Sequence, residues 1–315
     1  MSTALPNLII AGVHKAGTTS VFTYLALHPQ VCGSTIKEIG YFMPLRYGGP
    51  LPKWETYLSH WHHCRNEVKY RLEASPSYLY GGEAIAEAIA RMLGPEVRIL
   101  ILLREPVERL FSFYERKKVN AFLPSHLNFR QFAEQSLQRA ELLPDLGGDD
   151  VESLLRRGFR EGCYVDFLPA WLDRFGPRLR LMFFEHLRQD TAAFMRDLCQ
   201  WLDLDFSAYR PQDFAVENQT TGVRFAWLHR SLLTVNKKFE VFWRRNVGLK
   251  RTLRSLYKRI NAVESRRERL ADDDRQWLET AYLPYNRRLA VLLKQQGITT
   301  WPEWLAKAAY ASQPA

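Results

Sequence analysis

Two stretches of this chain place anion-binding chemistry at short, defined spacings. The first is Gly12-Val13-His14-Lys15-Ala16-Gly17-Thr18-Thr19-Ser20, which follows the apolar run Leu8-Ile9-Ile10-Ala11. A turn containing glycines and a helix start aim backbone N–H groups at one point. Lys15 adds an ammonium there, and Thr18, Thr19 and Ser20 add hydroxyl donors. Gly12 and Gly17 have the P-loop separation, but a P-loop for a Mg²⁺–triphosphate needs Lys directly after the second glycine. Thr18 holds that place and the cation comes earlier, at Lys15, which argues against an ordinary ATP or GTP site. The second stretch runs from Ile99 to Tyr114. It puts Arg104 at the end of an apolar run, and a guanidinium there is a good bidentate partner for a phosphate. Arg109, further along, reads as an exposed helix-face residue.

These residues need elements that hold them. Leu8–Ala11 reads as a strand, followed by a loop and a helix from Thr18 to about His28. Residues 97–103 read as a buried strand, with Pro106 opening the next helix. Leu179–Phe184 reads as a third strand, between helical stretches at 161–175 and 188–203. Strands alternating with helices predict an α/β fold, a P-loop-like parallel sheet flanked by helices. Ligands of such sheets bind at the C-terminal ends of the strands, where Arg104 falls. Residues 120–157 read as irregular, and 270–294 as a final helix broken locally by Pro284. No linker is evident, so a single domain over 1–315 is expected, with 213–270 as a basic helical segment packed over or near the anion site.

Lys-Ala-Gly-Thr-Thr-Ser after a first strand resembles the 5′-phosphosulfate loop of sulfotransferases that use 3′-phosphoadenosine 5′-phosphosulfate (PAPS). The Arg-x-Pro turn of Arg104-Glu105-Pro106, followed by Ser112, resembles their 3′-phosphate motif. The resemblance covers about residues 7–304 and implies the sulfotransferase fold. It further implies that Lys15, Ala16, Gly17, Thr18, Thr19 and Ser20 cradle the phosphosulfate and that Arg104 and Ser112 hold the 3′-phosphate. Thr35-Ile36-Lys37-Glu38-Ile39-Gly40-Tyr41-Phe42 resembles the Lys-Glu-Pro-His-Phe-Phe segment of heparan-type members, with Ile39 and Gly40 in place of Pro-His. By that likeness Glu38 is the general base for an acceptor hydroxyl and Lys37 offsets charge at the sulfuryl group. Leu72-Glu73-Ala74-Ser75-Pro76-Ser77-Tyr78 resembles a segment lining the acceptor cleft, with Ala74 where heparan-type members have Lys. Gly162-Cys163-Tyr164 matches a structural segment, with Tyr164 as a ligand candidate. The loop ending in Arg224 resembles one that closes over the nucleotide, which makes Arg224 a second cation for the 3′-phosphate. The implied donor is PAPS, with no metal; the acceptor is a hydroxyl of a sugar, lipid or small metabolite.

The 315 residues carry 44 Lys and Arg against 34 Asp and Glu, a net charge of +10. Residues 224–269 hold 14 of the cations and 3 of the anions, so they supply +11 and the remainder sums to −1. The cofactor residues lie mostly outside that segment, which leaves it for a cover, an acidic acceptor or peripheral contact with a membrane surface. No nucleic-acid-binding motif accompanies it, and no nucleic-acid partner is expected. The alternatives are a P-loop nucleotide kinase and a basic membrane-surface or nucleic-acid-binding module. Four cysteines without CxxC spacing, and no signal-like N-terminus, predict a cytoplasmic protein with reduced thiols. His60-Trp61-His62-His63-Cys64 is the one stretch that suggests a metal, but adjacent histidines point apart and the spacing is poor for zinc. A surface helix is expected there, and no metal.

Overall fold

A computed structural model describes residues 5–141, 147–214, 222–223, 262–263 and 269–310. Its main sheet has five parallel strands: β1 (Leu8–Gly12), β2 (Val31–Gly33), β3 (Tyr70–Ala74), β4 (Arg98–Leu103) and β5 (Leu179–Phe183), in the order β2-β3-β1-β4-β5. Every residue of β1 and β3 is buried, as is Ile99–Leu103 of β4. The near-continuous apolar runs of β1 and β4 are what a parallel sheet covered on both faces requires, while β3 buries Arg71 and Glu73 as well. The chain leaves β1 for the edge at β2, returns to β3, then crosses to β4 and β5. Its direction of winding therefore changes at β1, and that switch point is where open α/β sheets form their ligand crevice.

The helices are α1 (Thr18–Leu27), α2 (Met43–Arg46), α3 (Trp54–Leu58), α4 (Gly82–Leu93), α5 (Pro106–Val119), α6 (Phe129–Gln138), α7 (Val151–Arg160), α8 (Leu168–Phe175), α9 (Phe184–Gln189), α10 (Thr191–Leu202), α11 (Asp272–Gln295) and α12 (Glu303–Tyr310). The expected strands and the first helix are present. Residues 120–157 are not irregular throughout: α6 and α7 lie there. Asn128 and Asp150 cap them through their side chains, a signal masked by the Leu-Pro and Gly-Gly pairs around them. These two helices, α5 and α11 share a second apolar core around Leu110, Phe132, Leu154 and Phe159, where the Phe159 and Tyr282 rings stack at 4.1 Å. Helix α11 runs unbroken through Pro284, anchored by buried Leu278, Tyr282 and Leu289. Packing on both sides of the proline outweighs the one backbone bond it removes.

Three further expectations are corrected. Arg109 is wholly buried, not exposed: it donates to the Gly158 carbonyl and faces Glu161 at 4.0 Å. Cys32 and Cys64 are joined in a disulfide, with Cα atoms 5.9 Å apart, so only Cys163 and Cys199 are free thiols. Cys32 and Cys64 are 32 residues apart in sequence, and the return of the chain from β2 to β3 brings them together. The expected surface helix at His60–Cys64 is a single 3₁₀ turn, Ser59–Trp61.

Val223 pairs antiparallel with Ala262, and Gly222 with Val263, as strands β6 and β7. Arg224 and the rest of the basic segment up to 261 lie outside the described residues. No helix among the described residues is long and apolar enough to cross a membrane.

Candidate active site

The loop after β1 is pulled tight against the sheet. The Val13 N–H donates to the Leu102 carbonyl of β4 at 2.9 Å, and Lys15 takes a left-handed φ of 69°. Gly17 is the N-cap of α1 at φ 78°, and a Cβ there would sit 2.8 Å from Leu187 and 2.9 Å from Phe184. Only glycine fits both the angle and the space. No side chain caps α1 and no acidic residue stands in its first turn, so the helix start is left for an external anion.

Lys15 is half-buried above this helix start. Its ammonium pKa is lowered to about 8, first by burial and then by the positive charges of Arg116 and Arg104. Glu115 and Glu38 only partly offset that repulsion, and three cations crowded at one helix start are the electrostatic print of an anion site. Arg104 sits at the end of β4. One of its nitrogens donates to the Lys15 carbonyl at 2.8 Å, the other reaches Glu108 at 3.2 Å, and the guanidinium lies over the Phe184 ring at 4.7 Å. Arg104 thus braces the loop as well as charging it. Tyr164, given above as a ligand candidate, is buried and donates to the Arg104 carbonyl at 2.7 Å, so it supports that strand end from below.

Helix α5 starts at the same place. Glu105 caps it by accepting from the Val107 and Glu108 N–H groups at 2.9 and 2.7 Å, with Pro106 in its first turn. Burial raises the Glu105 carboxyl to about 7, against the pull of those two N–H groups and of Arg275 in α11. Ser112 lies half-buried on this helix, and Glu108, Ser112 and Arg116 follow at intervals of four, so they share one face. Arg116 was missed by the sequence reading, and that interval was the available signal. Arg104 and Glu108 also line a cavity of about 460 Å³ with Phe184, His186, Trp301 and Trp304.

Glu38 comes from the other side of β1, on the loop after β2. It has a left-handed φ of 64°, its N–H donates to the Ala74 carbonyl at 2.8 Å, and Lys37 pairs with its carboxylate at 2.6 Å. The Glu38 side chain is 54% exposed, and the desolvation of its carboxyl, which would raise the pKa, is correspondingly partial. The charges of Lys37, then His14 and Lys117, outweigh it and hold the pKa below the ordinary value. Glu38 and His14 therefore lie within electrostatic reach of one another, although one follows β2 and the other β1. His14 is hydrogen-bonded to the Ser77 hydroxyl at 2.6 Å, and burial lowers its pKa more than Glu161 and Glu38 raise it.

The stretch after β3 supports the Glu38 loop from behind. Glu73 is fully buried and accepts from three hydroxyls: Tyr57 at 2.6 Å, Ser75 at 2.8 Å and Tyr78 at 2.6 Å. Ser75 in turn accepts from the Gly40 N–H at 3.0 Å and Tyr78 from the Phe42 N–H at 3.3 Å. Glu73, Ser75 and Tyr78 are thus spent on holding residues 40–42, and none of the three side chains lines an open cleft.

Residues 5–246 match the model of the sulfotransferase domain. This chain belongs to the sulfotransferase domain family. It is a sulfotransferase, and the family implies PAPS as the sulfuryl donor. The sulfotransferase is 28% identical over 208 residues to a bifunctional heparan sulfate N-deacetylase/N-sulfotransferase 1 of Caenorhabditis briggsae, covering 64% of this chain and 23% of that one. It is 33% identical over 112 residues to a membrane-associated sulfotransferase of Dictyostelium discoideum, covering 35% and 22%. It spans less than a quarter of the length of these curated relatives. The fold matches the crystal structure of a sulfotransferase from Alicyclobacillus acidocaldarius with a TM-score of 0.61 at 21% identity, over 92% of this chain and 96% of that one.

Proposed function

We propose that this sulfotransferase moves a sulfuryl group from PAPS to a hydroxyl of a sugar, lipid or small metabolite, with Glu38 as general base. The observation that carries the donor half is the crowding of Lys15, Arg104 and Arg116 at an uncapped helix start. PAPS supplies the sulfuryl group, already activated by its bond to phosphate. The N–H groups from Lys15 to Thr19 and the hydroxyls of Thr18, Thr19 and Ser20 bind the phosphosulfate, while Arg104, Ser112 and Arg224 hold the 3′-phosphate. Glu38 takes the acceptor proton as the acceptor oxygen bonds to sulfur and the bridging S–O bond breaks. Lys15 stabilises the electron pair left on the departing phosphate oxygen, and Lys37 leaves Glu38 for the sulfuryl oxygens. As in phosphoryl transfer, positioning and electrostatics do most of the work.

Thr18 in place of the P-loop lysine counts against a nucleotide kinase. The deciding experiment is equilibrium binding of 3′-phosphoadenosine 5′-phosphate (PAP) against ATP–Mg²⁺. Tight binding of PAP, and turnover that survives a chelator, is the expected result; tight binding of ATP–Mg²⁺ alone overturns the reading. Similarity to heparan sulfate N-sulfotransferases favours a glycan amine as a second acceptor class. A screen with labelled PAPS over hydroxyl and amine acceptors separates the two. The basic segment 224–269 is read as a peripheral contact for an anionic lipid surface.

A further inference from the structure

One motif is left unused by the sulfuryl-transfer reading, the histidine-rich stretch ending in Cys64. The fold brings Cys32 to it from the end of β2. The Nε2 atom of His63 lies 3.5 Å from Cys32 Sγ and 3.9 Å from Cys64 Sγ. A tetrahedral zinc ion with Zn–S near 2.3 Å and Zn–N near 2.0 Å sets S···N separations of about 3.5 Å and S···S separations of about 3.8 Å. The imidazole therefore already stands at ligand-to-ligand distance from both sulfurs. Only the two sulfurs must move apart, and breaking their bond does that.

We propose that Cys32, His63 and Cys64 form a thiol-gated site for a soft divalent cation such as Zn²⁺, closed when the two cysteines are joined as a disulfide. Reduction by a dithiol adds two electrons and two protons to the disulfide, and the dithiol becomes a disulfide in turn. Zinc then displaces the two thiol protons and binds two thiolates and one neutral imidazole. His63 is exposed, so water can complete the fourth position. Thiolates select against Mg²⁺ and Ca²⁺.

The corner stays assembled without the S–S bond. Thr35 donates its N–H to the His60 carbonyl at 2.9 Å, and its hydroxyl meets His60 Nδ1 at 2.6 Å. Cys32 is in register with Arg71 across β2 and β3. These ties keep the reduced thiols facing each other, so little chain entropy opposes metal capture.

The test uses the full chain, oxidised or reduced by a dithiol that is then removed, with thiols counted in denaturant and Zn²⁺ and Co²⁺ as probes. The reduced protein should show four thiols and bind one Zn²⁺, and Co²⁺ should give thiolate charge-transfer absorption; the oxidised protein should show two thiols and bind none. His63→Ala should weaken Zn²⁺ binding at least tenfold and His62→Ala should leave it unchanged. Cys32→Ser should abolish the Co²⁺ band, and the exposed His63→Ala variant carries the test should Cys32→Ser not fold. A thiol count fixed at two under excess dithiol, equal Zn²⁺ uptake in both states, or wild-type affinity in His63→Ala each overturns the proposal.

Discussion

Lys15 is a lysine kept partly out of water between two guanidinium groups, and its pKa of about 8 follows from that placement. A bound anion reverses the balance and raises the pKa, so binding takes up a proton once the free ammonium begins to deprotonate. PAP affinity is expected to be level below pH 8 and to fall above it, by up to about tenfold per pH unit. Calorimetry between pH 6.5 and 9.5 in buffers of different ionisation enthalpy measures both effects. Lys15→Ala should flatten the profile and cut turnover by about 10²–10³. Glu38 is held below the ordinary carboxylate range, so the acid limb of kcat/KM should lie below that range. Lys37→Met removes the cation that holds it there and should move the limb upward. Glu38→Gln should lower kcat by about 10²–10⁴ with PAP affinity unchanged; full activity in that variant would remove Glu38 from the role of base. The loop residues were legible in the sequence because their chemistry is local, with glycines, a lysine and hydroxyls side by side. Glu73 was not read as a support, because the three hydroxyls that hold it come from positions 57, 75 and 78 and meet only in the fold.

At the scale of elements, α5 is a helix whose cap doubles as a pH-sensitive joint. The Glu105 carboxyl is raised by burial to about 7, so the folded protein binds more protons there than the unfolded chain from about pH 4.5 up to that value. This contribution therefore falls as pH rises through that window. Glu105→Gln keeps an acceptor for the cap and removes the charge, so its stability relative to wild type should improve from pH 5 to pH 8 in urea denaturation. At the start of α1, Gly17→Ala meets Leu187 and Phe184 below 3 Å at a positive φ. It should cost about 1–3 kcal/mol of stability and weaken PAP binding. β1, β4, β5 and α1 could be read ahead because those strands are near-continuous apolar runs; β2 and β3 could not, since β2 is only Val31–Gly33 and β3 carries buried Arg71 and Glu73. Helices α6 and α7 could not, since their apolar faces have meaning only against α5 and α11. The Cys32–Cys64 pair was hidden for the same reason, since it depends on where the chain returns to the sheet.

For the molecule as a whole, the uneven charge offers a clean dissection. β6 and β7 lie side by side, so Val223 and Ala262 can be joined by an Asn-Gly turn that replaces residues 224–261. That deletion removes eleven cations and one anion and takes the net charge from +10 to zero. Sedimentation with phosphatidylserine vesicles at low salt should show the full chain bound and the deleted chain free; equal behaviour would remove the lipid-surface reading. The strand order has a different consequence. The donor-side residues follow β1 and β4, neighbours at the centre of the sheet, while the proposed base follows β2 at the edge, beyond β3. On the reading proposed above, the donor and the base are served by separate tracts of chain on opposite sides of β1. Substitutions in the tract after β2 are then expected to change turnover and acceptor choice while PAP affinity, which rests on the loop braced by Arg104 and Tyr164, stays as it is. On that reading the protein is a fixed handle with an exchangeable jaw, and a graft of residues 34–42 together with their β3 supports is the unit with which to test whether this tract sets what it modifies.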